Sequence, residues 1–470
     1  MKYVSTRGAA PILGFDDVVL AGLARDGGLY VPQFWPRLSD ENLRAMAQLN
    51  YPALTARVMA PFAAPAIPET ELRELAVAAY AGFGHPQVAP LKRLYPRLWL
   101  LELFHGPTLA FKDFALQILG RLFDLILKRR GERVTIVGAT SGDTGSAAIE
   151  ACRGRDAIDI FILHPRGRVS EVQRRQMTTV DAANVHNIAV EGTFDDCQDL
   201  VKAMFNDAAF RDEMNLAAVN SINWARILAQ ITYYVYAALA LGGPGQPVAF
   251  AVPTGNFGNI FAAYAARCLG APIAHLIVGS NRNDILTRFF ASGRMEMGEV
   301  FPTLSPSMDI QISSNFERLL FELYDREAGV VAGLMETFKA TRAFQVDPGR
   351  WHRATSVFSA FRIDDEQTKE TIRTVYAETG ELLDPHSAIG VAAAQSIRTD
   401  TGMPVIAVAT AHPAKFPDAV EAAAGVRPPL PPRLGELMGK REHCVALPAD
   451  LAAIEAHIKS RVRAHDEVRP

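Results

Sequence analysis

Short apolar runs alternate with helical repeats along most of the chain. The run "RVTIVGA" (133–139) gives way to a helix opening near Gly145, and "IDIFIL", the helical "SEVQRRQMTTV", "VHNIAVEG" and the helical "FDDCQDLVKAMF" follow in turn. Strands this short and this uniformly apolar are buried on both faces, so the alternation predicts a parallel sheet covered by helices. After a long helix around "NWARILAQITYYVYAALAL" the pattern resumes with "PVAFAVPTG", a helix from about Asn259, "HLIVGSN" and, much later, "PVIAVATAHP". A second parallel-sheet lobe sharing one cleft with the first is expected. Residues 1–94 read as a separate N-terminal lobe, with helices in "LSDENLRAMAQL" and "ETELRELAVAAYAGF" and with "HPQVAPLKRLYP" as its boundary. Residues 95–428 hold the two α/β lobes. Between Arg294 and Glu378 helix and loop patterns prevail and strand signals are weak. Residues 429–470 form a tail, entered through the Pro-rich "VRPPLPPRLGEL" and closing on a short helix.

Length fits this picture, because 470 residues exceed what one core supports. Hydrophobic residues at 49% and charged residues at 21% are those of a globular, enzyme-sized chain. A formal net charge of -3 gives no field for nucleic acid or an anionic membrane, so any bound anion has to be met by local groups. Cys152, Cys197, Cys268 and Cys444 stand far apart, with no CxxC or Cys/His cluster. Reduced, buried thiols are expected, and neither a disulfide framework nor a metal site is. No apolar run reaches membrane-spanning length, and "MKYVSTRGAAPILGF" lacks a basic region followed by an apolar one, so the expectation is a cytoplasmic protein.

Candidate chemistry lies at the turns. "HGPTLAFKDFALQ" (105–117) puts Lys112 where an extended run becomes an apolar-periodic helix. Such a lysine either packs its stem and leaves its ammonium in water, or sits in a partly dry pocket. Burial lowers a reference pKa of roughly 10.4 and makes the amine a nucleophile for carbonyl carbon. Ligands of open parallel sheets bind beyond the carboxyl ends of strands, and three further turns fall there. In "GATSGDTGSAA" (138–148) the N–H groups of Ser141, Gly142, Asp143 and Thr144 converge on a carboxylate, or serve only an ordinary capped turn. "VPTGNFGNI" (252–260) has two glycines three apart, which permits close backbone approach to a phosphate, but it matches neither GxxxxGK[ST] nor GxGxxG. "VATAHPAKF" (408–416) puts Thr410, His412 and Lys415 past an apolar strand. "LLDPHSAIG" (382–390) presents Asp384 and His386 before a small-residue helix, where Asp384 or Ser387 reads as an N-cap. A sheltered lysine, a glycine loop for phosphate, a second anion loop and a strand-end hydroxyl are the parts needed to hold pyridoxal phosphate and an amino acid.

"STRG" with "DGGLYVP", "HGPTLAFKD", "TSGDTGSAA", "VPTGNFGN", "NDILTRF", "SSNFERLLF", "DPHSAIG" and "TAHPAKF", in this order from Ser5 to Phe416, resemble the threonine synthases of the longer bacterial and fungal-type subfamily. The resemblance implies an α/β fold, tryptophan-synthase-β-like (pyridoxal phosphate fold type II), with two parallel-sheet lobes around a cleft and an N-terminal lobe. It implies Lys112 as the Schiff-base lysine and Gly255, Asn256, Phe257, Gly258 and Asn259 as the loop for the cofactor phosphate. Thr410 would face the pyridine nitrogen, and Ser141, Gly142, Asp143 and Thr144 would take the substrate α-carboxylate. Asp143 stands where relatives often carry an asparagine facing the cofactor's phenolic oxygen, and like-charge repulsion there calls for a proton or a different orientation.

The reaction implied is that of O-phospho-L-homoserine and water to L-threonine and phosphate. Lys112 takes the Cα proton, a second deprotonation at Cβ lets the γ-phosphate leave, Cγ is protonated, water adds at Cβ, and Cα regains its proton. For the substrate phosphate the candidates are Lys415 first, because its turn also carries Thr410, and then Arg288, His412, Asn283, Ser314 and Asn315. Two other readings stay open: a pyridoxal-phosphate-dependent dehydratase or phospholyase acting on a hydroxyamino acid or its phosphate, and a catalytically silent cofactor-binding or regulatory protein. The partner expected is the small-molecule substrate, with no nucleic acid and no membrane, in a monomer or dimer.

Overall fold

The computed structural model describes residues 1–397 and 402–463. Its larger sheet has six strands in the order Phe358–Arg362, Ile273–Ser280, Val248–Pro253, Val405–Ala409, Leu98–Glu102 and Leu91–Tyr95, parallel except for the last, which closes an antiparallel hairpin. The smaller sheet is parallel throughout. It runs Val445–Pro448, Val185–Glu191, Ile158–Pro165, Val134–Ala139 and the two-residue Leu216–Ala217.

Side chains alternate across each strand, so both faces of both sheets need cover. Val248, Phe250 and Val252 enter the main core, whereas Ala249 and Ala251 face the layer that holds the Pro385–Ser396 helix. Ile160 and Ile162 likewise join the main core, while Phe161 and Leu163 pack with Cys197, Leu200, Ile454 and Ile458. This double burial is why the strands read as unbroken apolar runs. The Trp224–Leu241 helix is buried on nearly every side, against the Lys112–Arg130 and Gly258–Leu269 helices.

Several expectations change. "LKRLY", marked as part of a boundary, is the edge strand Leu91–Tyr95, and its exposed Lys92 and Arg93 interrupt the apolar pattern as charges on sheet edges do. The segment with weak strand signals supplies Phe358–Arg362 to the large sheet and a small antiparallel pair, Arg294–Glu296 with Ala343–Gln345. The tail contributes the edge strand Val445–Pro448 and the Leu451–Arg461 helix to the smaller lobe. Cys152 and Cys197 are buried, but Cys268 is only partly so and Cys444, on an edge strand's flank, is exposed.

The N-terminal motifs prove to be fastenings. Thr6 Oγ1 donates to Glu317 at 2.6 Å, and Arg7 grips both Glu317 oxygens at 3.0 and 2.8 Å. Asp26 accepts from Ser5 and from the amides of Ala9, Ala10 and Gly28. Among the described residues no helix is long and apolar enough to cross a membrane.

Candidate active site

Lys112 opens its helix because a buried carboxylate ties the turn behind it. Asp113 accepts from the Thr108 amide at 2.8 Å and from the Thr108 hydroxyl at 2.6 Å. Gly106 is obligatory there, since a Cβ would lie 2.4 Å from that of Asp113. The Phe111 amide donates to the Thr410 carbonyl at 2.9 Å, and Ala110 bridges to Ala411, so the lysine helix and the end of the Val405–Ala409 strand meet. Lys112 and Thr410 are thereby held at one place. The Lys112 side chain is 12% exposed. Burial lowers its pKa from the ordinary lysine value, Asp143 opposes that fall, and the Lys415 charge adds to it.

Asp143 starts the next helix and faces two ammonium groups. Its Oδ2 lies 3.1 Å from Lys112 Nζ and accepts from Ser307 at 2.8 Å, while its Oδ1 lies 3.1 Å from Lys415 Nζ and accepts from Gln173 at 2.7 Å. Burial pushes this carboxyl up, but Lys112 and Lys415 outweigh burial and hold it well below the usual carboxylate range. In the ligand-free protein the Asp143 charge is thus paired on both oxygens by Lys112 and Lys415. Gln173, Ser307 and Gln176 come from elements whose sequence carries no signal of this role.

Two loops turn unpaired amides into the cleft. Thr140 Oγ1 accepts from the amides of Gly142 and Gly145 at 3.0 and 2.9 Å, which leaves those of Ser141, Asp143 and Thr144 with no acceptor among the described residues. The second loop has its carbonyls drawn outward: Gly255 O takes the Ser313 hydroxyl at 2.7 Å, and Asn256 O takes the Asn315 amide and side chain, both at 3.1 Å. The amides of residues 255–259 have no acceptor among the described residues, at the start of the Gly258–Leu269 helix. Phe257 holds φ 63, a left-handed value uncommon outside glycine, as backbone strain at ligand loops often is.

The remaining candidates divide. Lys415 is fully buried, and besides Asp143 it reaches Thr108 O at 2.8 Å and Gln176 Oε1 at 3.3 Å. Its three donors are committed, so ranking it first for the substrate phosphate is not supported. His412 caps the turn after it by accepting from the Ala414 amide, and burial lowers its pKa to about 4, leaving a neutral ring. Asn283 serves Phe301 and Asp309, and Arg288 pairs with Asp284 at 2.9 Å. Asn315 shapes the 255–259 loop, and part-exposed Ser314 beside it makes no hydrogen bond among the described residues.

Arg226 was not among the residues expected. It is 3% exposed, its Nε and Nη1 have no partner among the described residues, and its charge acts on Lys112. Burial lowers its pKa to about 10, so it stays cationic at neutral pH. The Asn259 Nδ2 is buried and unpartnered too, while the Asn259 Oδ1 accepts from Tyr233 and Tyr234 at 2.6 and 2.7 Å. A buried unpaired guanidinium is costly and is kept where an anion comes to meet it. An arginine in the first turn of the otherwise apolar "WARILAQITYYVY" was the available signal.

These groups fit pyridoxal phosphate. Five free amides at a helix start suit a phosphate dianion, Lys112 offers the amine, and the Thr410 hydroxyl, 6% exposed as a residue, has no partner among the described residues. A family model for pyridoxal-phosphate dependent enzymes matches residues 83–360. The protein is thus a pyridoxal-phosphate-dependent enzyme of fold type II. Models for the threonine synthase N terminus and C-terminal region match residues 2–80 and 387–458. A threonine synthase of Pseudomonas aeruginosa is 56% identical over 97% of this chain and 98% of its own. The solved threonine synthase of Brucella melitensis, described as PLP bound, superposes with a TM-score of 0.97 at 53% identity, covering 99% of this chain and 100% of its own. That of yeast gives 0.93 at 40% identity, with 98% of each chain covered. The chain belongs to the threonine synthase family.

Proposed function

We propose that the protein converts O-phospho-L-homoserine and water into L-threonine and phosphate. The observation that carries this reading is the meeting of Lys112, two sets of unpaired amides and the unpartnered Arg226 guanidinium in one buried cleft. Residues 255–259 and the Asn259 side chain hold the cofactor phosphate, and Thr410 meets the ring nitrogen. The amides of Ser141, Asp143 and Thr144 receive the substrate α-carboxylate, whose charge Lys415 offsets from behind Asp143. Arg226 receives the substrate phosphate, with Ser314 beside the loop as a further donor. Pyridoxal phosphate, bound through Lys112, supplies the sink for electron density developed at the substrate carbons. Lys112, its basicity lowered by burial, takes and returns the Cα proton.

Residues 1–94, 95–428 and 429–470 are proposed as fastening, catalytic and bracing units of a cytoplasmic monomer or dimer. Purified protein loaded with pyridoxal phosphate should turn O-phospho-L-homoserine into threonine and phosphate by NMR. Appearance of 2-oxobutanoate and ammonia as the main products would instead make it a dehydratase or phospholyase.

A further inference from the structure

Asp384 and His386 form a buried pair to which the assignments above give no task. Asp384 caps the Pro385–Ser396 helix by accepting from the amides of His386 and Ser387, each at 3.0 Å, and it also takes the Ser387 hydroxyl. Its Oδ2 lies 2.8 Å from Nδ1 of His386. Capping accounts for the amides and for Ser387 but not for the imidazole. His386 is 4% exposed, and its Nε2 is buried with no partner among the described residues. Buried ring nitrogens are normally hydrogen-bonded, so an orphan one beside a ligand cleft points to the ligand.

The surroundings place the ring at that cleft. The Ser387 hydroxyl receives the Thr410 amide at 3.1 Å. Ile389, one turn further along, packs on Met308, the neighbour of Ser307, whose hydroxyl reaches Asp143. Phe416, next to Lys415, packs against the ring with centroids 4.9 Å apart. His386 thus lies on a helix start whose following residues touch the Thr410 backbone and Met308, with its ring against the neighbour of Lys415.

We infer that His386 is a second proton carrier of the site, serving the substrate's side-chain carbons and the incoming water while Lys112 serves Cα. The inference rests on the threonine-forming reaction proposed above. In that reaction the proton lost from Cβ departs with the phosphate as the Cγ–O bond breaks. One proton must then be delivered to Cγ, and one must be removed from the water whose oxygen bonds to Cβ. A single group performs both without net change. The imidazolium gives its Nε2 proton to Cγ; the neutral ring next takes a proton from water as the C–O bond forms. The electron pair freed from the Cα–Cβ double bond returns to Cα, where Lys112 delivers the proton it took. Asp384 fixes the Nδ1 proton and steadies the charged ring, so that only Nε2 exchanges.

His386→Asn tests this, because the asparagine Nδ2 can keep the bond to Asp384 while removing the exchanging nitrogen. The holoenzyme is assayed in D2O for Cα–H exchange of L-2-aminobutanoate, which has no phosphate to lose, and for products from O-phospho-L-homoserine. General acid–base groups contribute about 10²- to 10⁴-fold, so threonine formation should fall at least about 100-fold while Cα exchange stays within about threefold of wild type. The carbon skeleton, left unprotonated at Cγ, should then be released as vinylglycine (2-amino-3-butenoate) once Lys112 returns the proton to Cα. Threonine formation within about threefold of wild type, or Cα exchange falling in parallel with it, overturns the inference. So does loss of cofactor binding in both His386→Asn and His386→Gln, since the ring would then be a structural support. A wild-type enzyme that makes no threonine brings down the reaction itself, and this assignment with it.

Discussion

Asp143 takes Lys112 and Ser307 on one oxygen and Lys415 and Gln173 on the other, so its charge is paired on both sides inside the cleft. Asp143→Asn leaves two buried ammonium groups without a counter-ion. Breaking a buried pair in this way costs about 3–5 kcal/mol, and the cofactor-free variant should unfold at correspondingly lower urea. Because the Asp143 carboxyl is held below its ordinary value of 3.8, its stabilisation is complete above that pH and is lost as pH falls through the lowered value. The gap between wild type and variant should therefore be equal at pH 7 and pH 5, and narrow only in strong acid. Arg226 has the opposite sign. With Nε and Nη1 unpartnered in the ligand-free protein, its replacement in Arg226→Met should stabilise that state, since an apolar side chain replaces an uncompensated buried charge. The same change should weaken binding of O-phospho-L-homoserine by about 2–5 kcal/mol and leave cofactor affinity within about threefold. Collapse of cofactor affinity with unchanged substrate binding would give the guanidinium to the cofactor phosphate instead.

Lys112 and Asp143 each begin a helix, and the distance between them depends on how those helices pack. Gly120 permits the contact: a Cβ there would lie 2.4 Å from the Ala151 carbonyl oxygen, on the neighbouring Asp143–Cys152 helix. Gly120→Ala forces the helices apart, at about 1–3 kcal/mol for overpacking, and it should also loosen cofactor binding by shifting Lys112 against Asp143. Urea titration and cofactor titration of the same preparation measure both, and a stability loss without an affinity loss would mean that the pair tolerates the shift. These helices and the strands before them were legible because a strand buried on both faces is uniformly apolar and ends in a recognisable turn. Leu91–Tyr95 and Val445–Pro448 were not: the first carries the exposed charges of Lys92 and Arg93, and the second is a four-residue half-exposed edge strand ending in proline, too short to give a pattern. At the site the same division holds. Lys112, Thr410 and the two amide loops are local features of strand ends, so the letters announce them. Ser307 meets Asp143 across 164 residues, and a contact between lobes has no local pattern. Arg226 was hidden by resembling an ordinary arginine in a first helical turn, and His386 by sitting beside a residue that needed a cap.

Over the whole chain, both termini brace the turn and loop that hold the chemistry. At the front, Thr6 and Arg7 pin Glu317, two residues from Asn315, which holds the Asn256 carbonyl and thereby turns the 255–259 amides inward. At the back, Arg433 donates to the His105 carbonyl at 2.7 Å and also to that of Gly106, just behind the turn that Asp113 ties to Lys112. Further on, Val445–Pro448 pairs with Val185–Glu191, and Ile454 and Ile458, fully buried, fill the core beside Cys197 and Met204. Two kinds of support are therefore combined in the tail, and separate variants distinguish them. Ending the chain at residue 428 exposes the apolar face that the two isoleucines cover, each worth about 1.5–3 kcal/mol when fully buried, and removes an edge strand. Such a protein should lose protection of the Val185–Glu191 region in hydrogen exchange and become open to proteolysis there. Arg433→Ala leaves those isoleucines in place and frees only the carbonyls behind the lysine turn. It should keep the wild-type exchange pattern in the smaller lobe, unfold at nearly the same urea concentration, and still lower kcat through a less firmly held Lys112. If Arg433→Ala opens the smaller lobe as truncation does, the arginine is part of the general fastening; if kcat is unchanged, the lysine turn needs no support beyond Asp113.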